Sequence, residues 1–209
     1  MNILLVNSSP RQRRSSTYNL AQTIIQQIST ETLVNVIEED VTKLHQVDED
    51  YAVAVCSPEL MRSEAKGSLA QSNRLIADLE QSDMVIIASP MHNFSLPSGL
   101  KSWVDHVVRA GKTFHITPTG KKGVLKQKPV YVLVSSGGSF SGDKAYQPDF
   151  FTPYLREVLE VIGLDNVTFF TLEGTATPIE ELQRKVEEIR EKLKYHMAGA
   201  FVQPQRISI

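Results

Sequence analysis

Short apolar runs alternate along the chain with longer amphipathic ones. Ile3–Val6 contains no polar residue and is closed by Asn2 and Asn7, the pattern of a strand buried on both faces. Asp83–Ser89, built on Met84-Val85-Ile86-Ile87-Ala88, reads the same way, as do Val130–Val134 and Val167–Leu172. Thr32–Glu38 is rich in β-branched residues but more polar, so it predicts a strand nearer an edge.

Between these runs the period changes to that of a helix. Leu20, Ile24, Ile25 and Ile28 place a helix over Ser15–Ile28. Leu69–Leu79 has the same spacing and high helix propensity. Ser98–Ala110 is a helix with Pro97 before it and Gly111 after it. Phe150–Ile162 is another, stopped by Gly163. Thr177-Pro178-Ile179-Glu180 reads as a capping box opening a last helix, along which Ile179, Leu182, Val186, Ile189 and Leu193 form one stripe. The glutamates, arginines and lysines off that stripe read as a solvated face. The stretch from Val41 to Leu69 gives no clear shape beyond a small apolar patch at Val53–Met61.

Strands alternating with helices imply parallel pairing with helices on both faces, and five such units predict a doubly wound three-layer α/β sandwich. In such folds ligands bind outside the carboxyl ends of the strands, where strand order reverses. The chemistry is therefore expected after the first, third and fourth strands.

Composition narrows the field. With 209 residues, 41% of them apolar, and a net charge of −2, the chain suits one domain, read as 1–209, with no polyanion partner. The single cysteine, Cys56, excludes an internal disulfide and is expected to pack as a small apolar residue. It agrees with a reducing cytoplasm, and no secretory signal or membrane span is read. His45, His92, His106, His115 and His196 are scattered without metal-ligand spacing, so no metal is expected. His106 is expected on the exposed or partner-facing side of its helix, Trp103 in the core or an interface, and Asp105 with Arg109 as a helix ion pair.

All three candidate loops carry unusual residues. After the first strand comes Asn7-Ser8-Ser9-Pro10-Arg11-Gln12-Arg13-Arg14-Ser15-Ser16-Thr17, with neither a dinucleotide fingerprint nor a P-loop. Its hydroxyls stand before a helix N-terminus, which suits a terminal monophosphate. The plainer reading is that Ser15 or Ser16 is an N-cap. Arg11, Arg13 and Arg14 either meet cofactor phosphates or are solvated. After the third strand, Pro90-Met91-His92-Asn93-Phe94 offers apolar and amide surface to a flat heteroaromatic ring, or else a tight turn whose Met and Phe fold back into the core. After the fourth, Ser135-Ser136-Gly137-Gly138 precedes Ser139-Phe140-Ser141-Gly142. Paired glycines allow a ring edge to be lined by backbone N–H groups, and Phe140 suits a cover over the site.

The segments N-S-S-P-R…S-S-T, P-M-H-N-F-S-L-P-S-G-L-K-S-W-V-D-H-V-V-R-A-G-K-T-F and S-S-G-G resemble the flavodoxin-like FMN-dependent NADH:azoreductases, also called quinone reductases. The resemblance extends through P-Y-L-R-E-V-L-E-V-I-G and F-F-T-L-E-G. It implies a five-stranded parallel sheet of order 2-1-3-4-5, a tightly bound FMN, and NADH or NADPH as donor. It also implies ping-pong electron transfer to quinones and azo compounds, in a homodimer with sites at the interface. By the same resemblance Ser9, Ser15, Ser16 and Thr17 would hold the FMN phosphate. Pro90, Met91, His92, Asn93 and Phe94 would line the isoalloxazine, and Ser135, Ser136, Gly137 and Gly138 its pyrimidine edge. His92 stands where the family usually has tyrosine, Ser136 where arginine is common, and Ile116 where an aromatic is frequent. No catalytic side chain is expected, because the flavin carries the chemistry. His92 either packs against FMN or gives a proton to the reduced acceptor. The competing functions are a flavodoxin-type electron carrier, a flavin reductase supplying reduced FMN to a partner, and a flavin-free phosphate-binding module. Residues 200–209 read as a disordered tail or one that crosses to a partner.

Overall fold

A computed structural model describes residues 1–57 and 66–202; Pro58–Met61 of the expected apolar patch and the tail from residue 203 lie outside them. The elements run β1 (Asn2–Asn7), α1 (Ser16–Ser29), β2 (Asn35–Asp40), α2 (Glu49–Cys56), α3 (Gly67–Gln81), β3 (Met84–Pro90), α4 (Ser98–Val107), β4 (Phe114–Thr117), β5 (Gly120–Gly123), β6 (Val130–Ser135), α5 (Thr152–Val161), β7 (Val167–Leu172) and α6 (Ile179–Val202). The main sheet has five parallel strands in the order β2-β1-β3-β6-β7. This is the expected 2-1-3-4-5 once the β4–β5 hairpin, which the periodicity did not predict, takes two numbers.

Period-two alternation along each buried strand divides the core into two layers. Leu4, Val6, Val85, Ile87, Val130, Val132 and Val134 face α3, α4 and α5. Ile3, Leu5, Met84, Ile86, Ala88, Tyr131 and Leu133 face α1 and α6. Trp103, 1% exposed, lies in the first layer. The α6 stripe is buried mainly at Leu193 and Met197, while Ile179 is exposed.

Several local expectations give way to tertiary contacts. Pairing of β2 starts where the Asn35 N–H donates to Met1 O at 2.9 Å, leaving Leu33 exposed. The α4 helix stops at Val107, since the Thr113 hydroxyl caps Val107 O at 2.6 Å and accepts the Arg109 N–H at 3.0 Å. Arg109 is thereby removed from helical register with Asp105, which pairs instead with Lys101. The Arg109 guanidinium is 3% exposed and donates to Ser72 Oγ at 2.7 Å and Asn73 Oδ1 at 2.5 Å; burial pushes its pKa down. His106 is fully buried rather than exposed, its Nε2 2.9 Å from His45 O and its ring edge-on to Tyr51. Cys56 is exposed, because α2 turns only Tyr51 and Ala54 inward. Thr177 donates its hydroxyl to Glu181 rather than completing a box with Glu180. The hairpin was marked by Thr117-Pro118-Thr119-Gly120, a turn signal between two short segments.

Candidate active site

The ends of β1, β3 and β6 are adjacent, with Asn7 opposite Ala88 and Pro90 opposite Ser135. All the sequence-predicted site residues therefore fall at one carboxyl edge of the sheet: Ser9 and Ser15–Thr17 after β1, Pro90–Phe94 at and after β3, and Ser135–Gly138 at and after β6.

The first loop is pinned on its outer side. Gln12, at φ +53°, donates from Nε2 to Asp40 Oδ1 at 3.1 Å and Thr42 Oγ1 at 2.9 Å. Burial alone would raise the Asp40 carboxyl pKa, but hydrogen bonds from Thr42, Gln12 and Lys43 outweigh it and hold the pKa below the usual value. Ser15 caps α1 by accepting the Tyr18 N–H at 3.2 Å, so its N-cap role is real. Ser9, Ser15 and Thr17 are buried and Ser16 half-buried. Among the described residues the N–H groups of Ser16 and Thr17 have no acceptor, as expected at a helix N-terminus open to an anion. Asn7 Nδ2, fully buried at the start of this loop, is also without a partner there. Arg13 is held by Glu38 at 3.0 Å, while Arg11 and Arg14 are exposed around a cavity of about 540 Å³ that also touches Lys43.

The second loop is a two-residue hairpin. His92 and Ser95 exchange both backbone hydrogen bonds at 2.9 Å, with Asn93 at φ +48° and Phe94 at φ +69°. Positive φ at both central residues defines a type I′ turn, for which asparagine is well suited and phenylalanine is not. Strain of this kind costs on the order of 1–3 kcal/mol and clusters at ligand sites. The Met91 N–H donates to Ser135 O at 2.7 Å and its side chain packs into the core, whereas Phe94 is 43% exposed. The turn-in-the-core reading thus holds for Met91 and fails for Phe94. The His92 side chain is exposed and has no partner among the described residues.

The third loop is polarised. Its carbonyls from Ser136 to Ser139 are engaged: Ser136 O accepts from Thr175 N at 3.0 Å, Gly137 O from Ala176 N at 3.4 Å, Gly138 O from Gly174 N at 3.2 Å, and Ser139 O from Tyr146 N and Gln147 N. Among the described residues the N–H groups of Gly137, Gly138 and Ser139 have no acceptor. Three consecutive free donors make an electropositive rim facing away from the protein's own carbonyls. Phe140 does not cover the site; it is buried in the core layer of α3, α4 and α5.

One residue here escaped the sequence reading. Gln147 donates from Nε2 to Ser136 Oγ at 3.0 Å and Met91 Sδ at 3.4 Å, joining the second loop to the third. A Cβ on Gly138 would lie 2.3 Å from Gln147 Oε1, so a larger residue there would push the Gln147 side chain out of this arrangement. The loop composition around Gln147 carries no periodicity that could have revealed it.

These features fit FMN: free N–H groups at a hydroxyl-rich helix N-terminus for a phosphate, and free N–H groups at a glycine pair for an electron-rich ring edge. Among the described residues no group of His, Cys, Asp or Glu side chains could hold a metal, and no helix is long and apolar enough to cross a membrane.

Residues 1–196 match the family described as having a flavodoxin-like fold. FMN-dependent NADH:quinone oxidoreductase 4 of Pseudomonas fluorescens is 40% identical over 195 residues, covering 92% of this chain and 93% of that protein. FMN-dependent NADH:quinone oxidoreductase 5 of Burkholderia lata is 43% identical over 178 residues, covering 84% and 86%. Among solved structures, an azoreductase from Bacillus anthracis superposes with a TM-score of 0.81 at 20% identity, covering 94% of this chain and 98% of that one. The fold, the loop geometry and these likenesses place the chain in the flavodoxin-like family of FMN-dependent NADH:quinone oxidoreductases.

Proposed function

We propose that this chain binds FMN and carries two electrons from NAD(P)H to quinones and azo compounds. The observation that carries the reading is the convergence of the α1 N-terminus, the His92–Ser95 turn and the Ser136–Ser139 loop at the ends of three adjacent strands. Bound FMN supplies the hydride chemistry. The chain's part is to hold it. Ser9, Ser15, Ser16 and Thr17 receive the phosphate, with the α1 dipole behind them. Pro90, Met91, Asn93 and Phe94 wall the ring, and the free N–H groups of Gly137 and Gly138 favour negative charge at its edge. Donor and acceptor would enter the same site in turn, as ping-pong exchange requires. His92, exposed in the turn, would pack against or hydrogen-bond the cofactor, with proton donation to the reduced acceptor as its second role. The cytoplasm, where NADH is supplied, suits a chain whose one cysteine is free.

The purified protein should show flavin absorption near ~450 nm. It should also oxidise NADH when a quinone is added and retain FMN through gel filtration. A colourless protein that ignores added FMN would overturn the proposal; loss of FMN on the column would favour the flavin-reductase alternative.

A homodimer with sites at the interface is supported by apolar surface beside the turn. Ser95, Leu96, Lys101, Phe150, Pro153 and Tyr154 line a groove of about 420 Å³. Phe150 is 60% exposed, and its N–H donates to Phe94 O at 3.0 Å. Exposed aromatics of this kind are typical of interface anchors. Light scattering should find a dimer, and Phe150→Asp should shift it to monomer at micromolar concentration. A wild-type monomer would refute the assembly.

A further inference from the structure

The polarity of the third loop has a source outside it. Glu173, the first residue beyond β7, reaches back across the sheet edge. Its Oε2 accepts the Phe140 N–H at 2.7 Å and the Ser141 N–H at 3.1 Å, and its Oε1 accepts the Ser141 hydroxyl at 2.5 Å. The next three residues continue the lacing, with Gly174, Thr175 and Ala176 donating to the carbonyls of Gly138, Ser136 and Gly137. Lys185 of α6 fastens the brace from behind, donating to Gly174 O at 2.9 Å and Glu173 O at 3.4 Å. Thus the N–H groups of Phe140 and Ser141 and every carbonyl of Ser136–Ser139 are turned toward protein. Among the described residues the N–H groups of Gly137, Gly138 and Ser139 have no acceptor.

We propose that Glu173 is a positioning residue: its carboxylate anchors the far end of the glycine loop, so that three consecutive peptide N–H groups stand ready before the cofactor arrives. The proposal rests on the FMN reading of the site and deepens it. A glycine pair left unanchored samples many conformations, and ordering it would be charged against binding. A carboxylate accepting three hydrogen bonds removes that cost in advance. Fixed donors act most strongly on the form of the ligand that carries more negative charge at the ring edge. Glu173 therefore bears on the balance between reduced and oxidised cofactor as well as on overall affinity.

Glu173→Gln keeps the shape but replaces a charged acceptor by a neutral amide. In the cofactor-free protein, hydrogen exchange at Phe140 and Ser141 should speed up about tenfold, with exchange in the central strands unchanged. Titration with FMN, followed by flavin fluorescence, should give a Kd about tenfold higher than wild type. A further tenfold selective loss for the reduced form would make the two-electron midpoint potential of bound FMN about 30 mV more negative. Ser141→Ala, which removes a single donor, should move each readout in the same direction by about threefold, and it decides the matter if Glu173→Gln fails to fold. Unchanged exchange at Phe140 and Ser141 would overturn the proposal whatever the behaviour of FMN, as would an altered exchange with Kd and potential equal to wild type. A wild-type protein that takes up no FMN would overturn the cofactor reading instead, and with it the functional half of this inference.

Discussion

Gly123→Ala should lower the melting temperature of the cofactor-free protein by about 10 °C, corresponding to about 3 kcal/mol for a chain of this size. A Cβ at this position would stand 2.1 Å from Gly163 N, 2.4 Å from Gly163 Cα and 2.4 Å from Ile162 C. All three are backbone atoms at the C-terminal stop of α5, so no side chain can rotate out of the way. Gly163 itself holds φ +98° and donates its N–H to Glu160 O at 2.9 Å, which leaves it no freedom to retreat. The β4–β5 hairpin would have to lift. That movement would break the Leu125 N–H bond to Ile162 O and loosen Phe114 and Leu125, both packed in the core layer of α3, α4 and α5. Gly199→Ala is the matched control. A Cβ there meets nothing within 4 Å and Gly199 lies within α6, so alanine should be neutral or raise stability by about 0.5–1 kcal/mol. Thermal unfolding followed by circular dichroism checks both, and a Gly123→Ala melting temperature within about 2 °C of wild type would show that the hairpin does not rest on α5 as described.

Lys128→Met should cost about 3 kcal/mol while leaving turnover at low temperature intact. Lys128 is 6% exposed and forms no ion pair among the described residues; its ammonium instead caps the end of α3. Nζ donates to Leu79 O at 2.6 Å, Ser82 O at 2.5 Å, Ser82 Oγ at 3.3 Å and Glu80 O at 3.3 Å. Cations belong at the carbonyl end of a helix, and here the dipole and the desolvated oxygens reinforce each other. Burial pushes the Lys128 pKa down from its usual value, opposed by the charges of Asp83 and Glu80. Methionine would fill the channel but remove the ammonium from Ser82 O and Glu80 O, leaving Leu79 O only the Ser82 hydroxyl as a side-chain donor. Lys128 precedes β6, so it lies at the amino edge of the sheet, opposite the glycine loop. Urea unfolding should therefore show the loss, whereas kcat with NADH and a quinone should stay within about twofold of wild type. A fall in kcat without a fall in stability would contradict this placement.

The parts of the fold that could be read in advance share one property: their signal is local. Ile3–Val6, Met84–Ala88 and Val130–Val134 declare buried strands by composition alone, and Leu20, Ile24 and Ile28 declare a helix by spacing. Pro97 marked a helix start because its ring fixes its own φ, and Gly163 a helix stop because glycine adopts the positive φ needed there without a steric cost. The three loops were legible as a candidate site for a similar reason. Parallel strands put every strand-to-helix loop at one edge, so the pattern of elements implied the convergence of Ser15, Asn93 and Gly137 before any contact was known.

What escaped was decided by partners distant in sequence. His106 stays within α4 but is buried by the arrival of His45 and α3 against it, and a cap from Thr113 ended the helix early and turned Arg109 away from Asp105 toward α3. Phe140 was misread because a lone aromatic among glycines and serines says nothing about which way it points. Gln147, Lys128 and Glu173 have ordinary neighbours, and their roles arise only where another element arrives beside them.

Periodicity, capping residues and the order of elements thus dictated the sheet, its two core layers and the edge at which the chemistry lies, because each depends on neighbours a few residues apart. Which loop atoms are free to meet a ligand was settled in three dimensions. The carbonyls of Ser136, Gly137 and Gly138 are consumed by the segment after β7, more than thirty residues later, and no local rule registers a hydrogen bond across that distance.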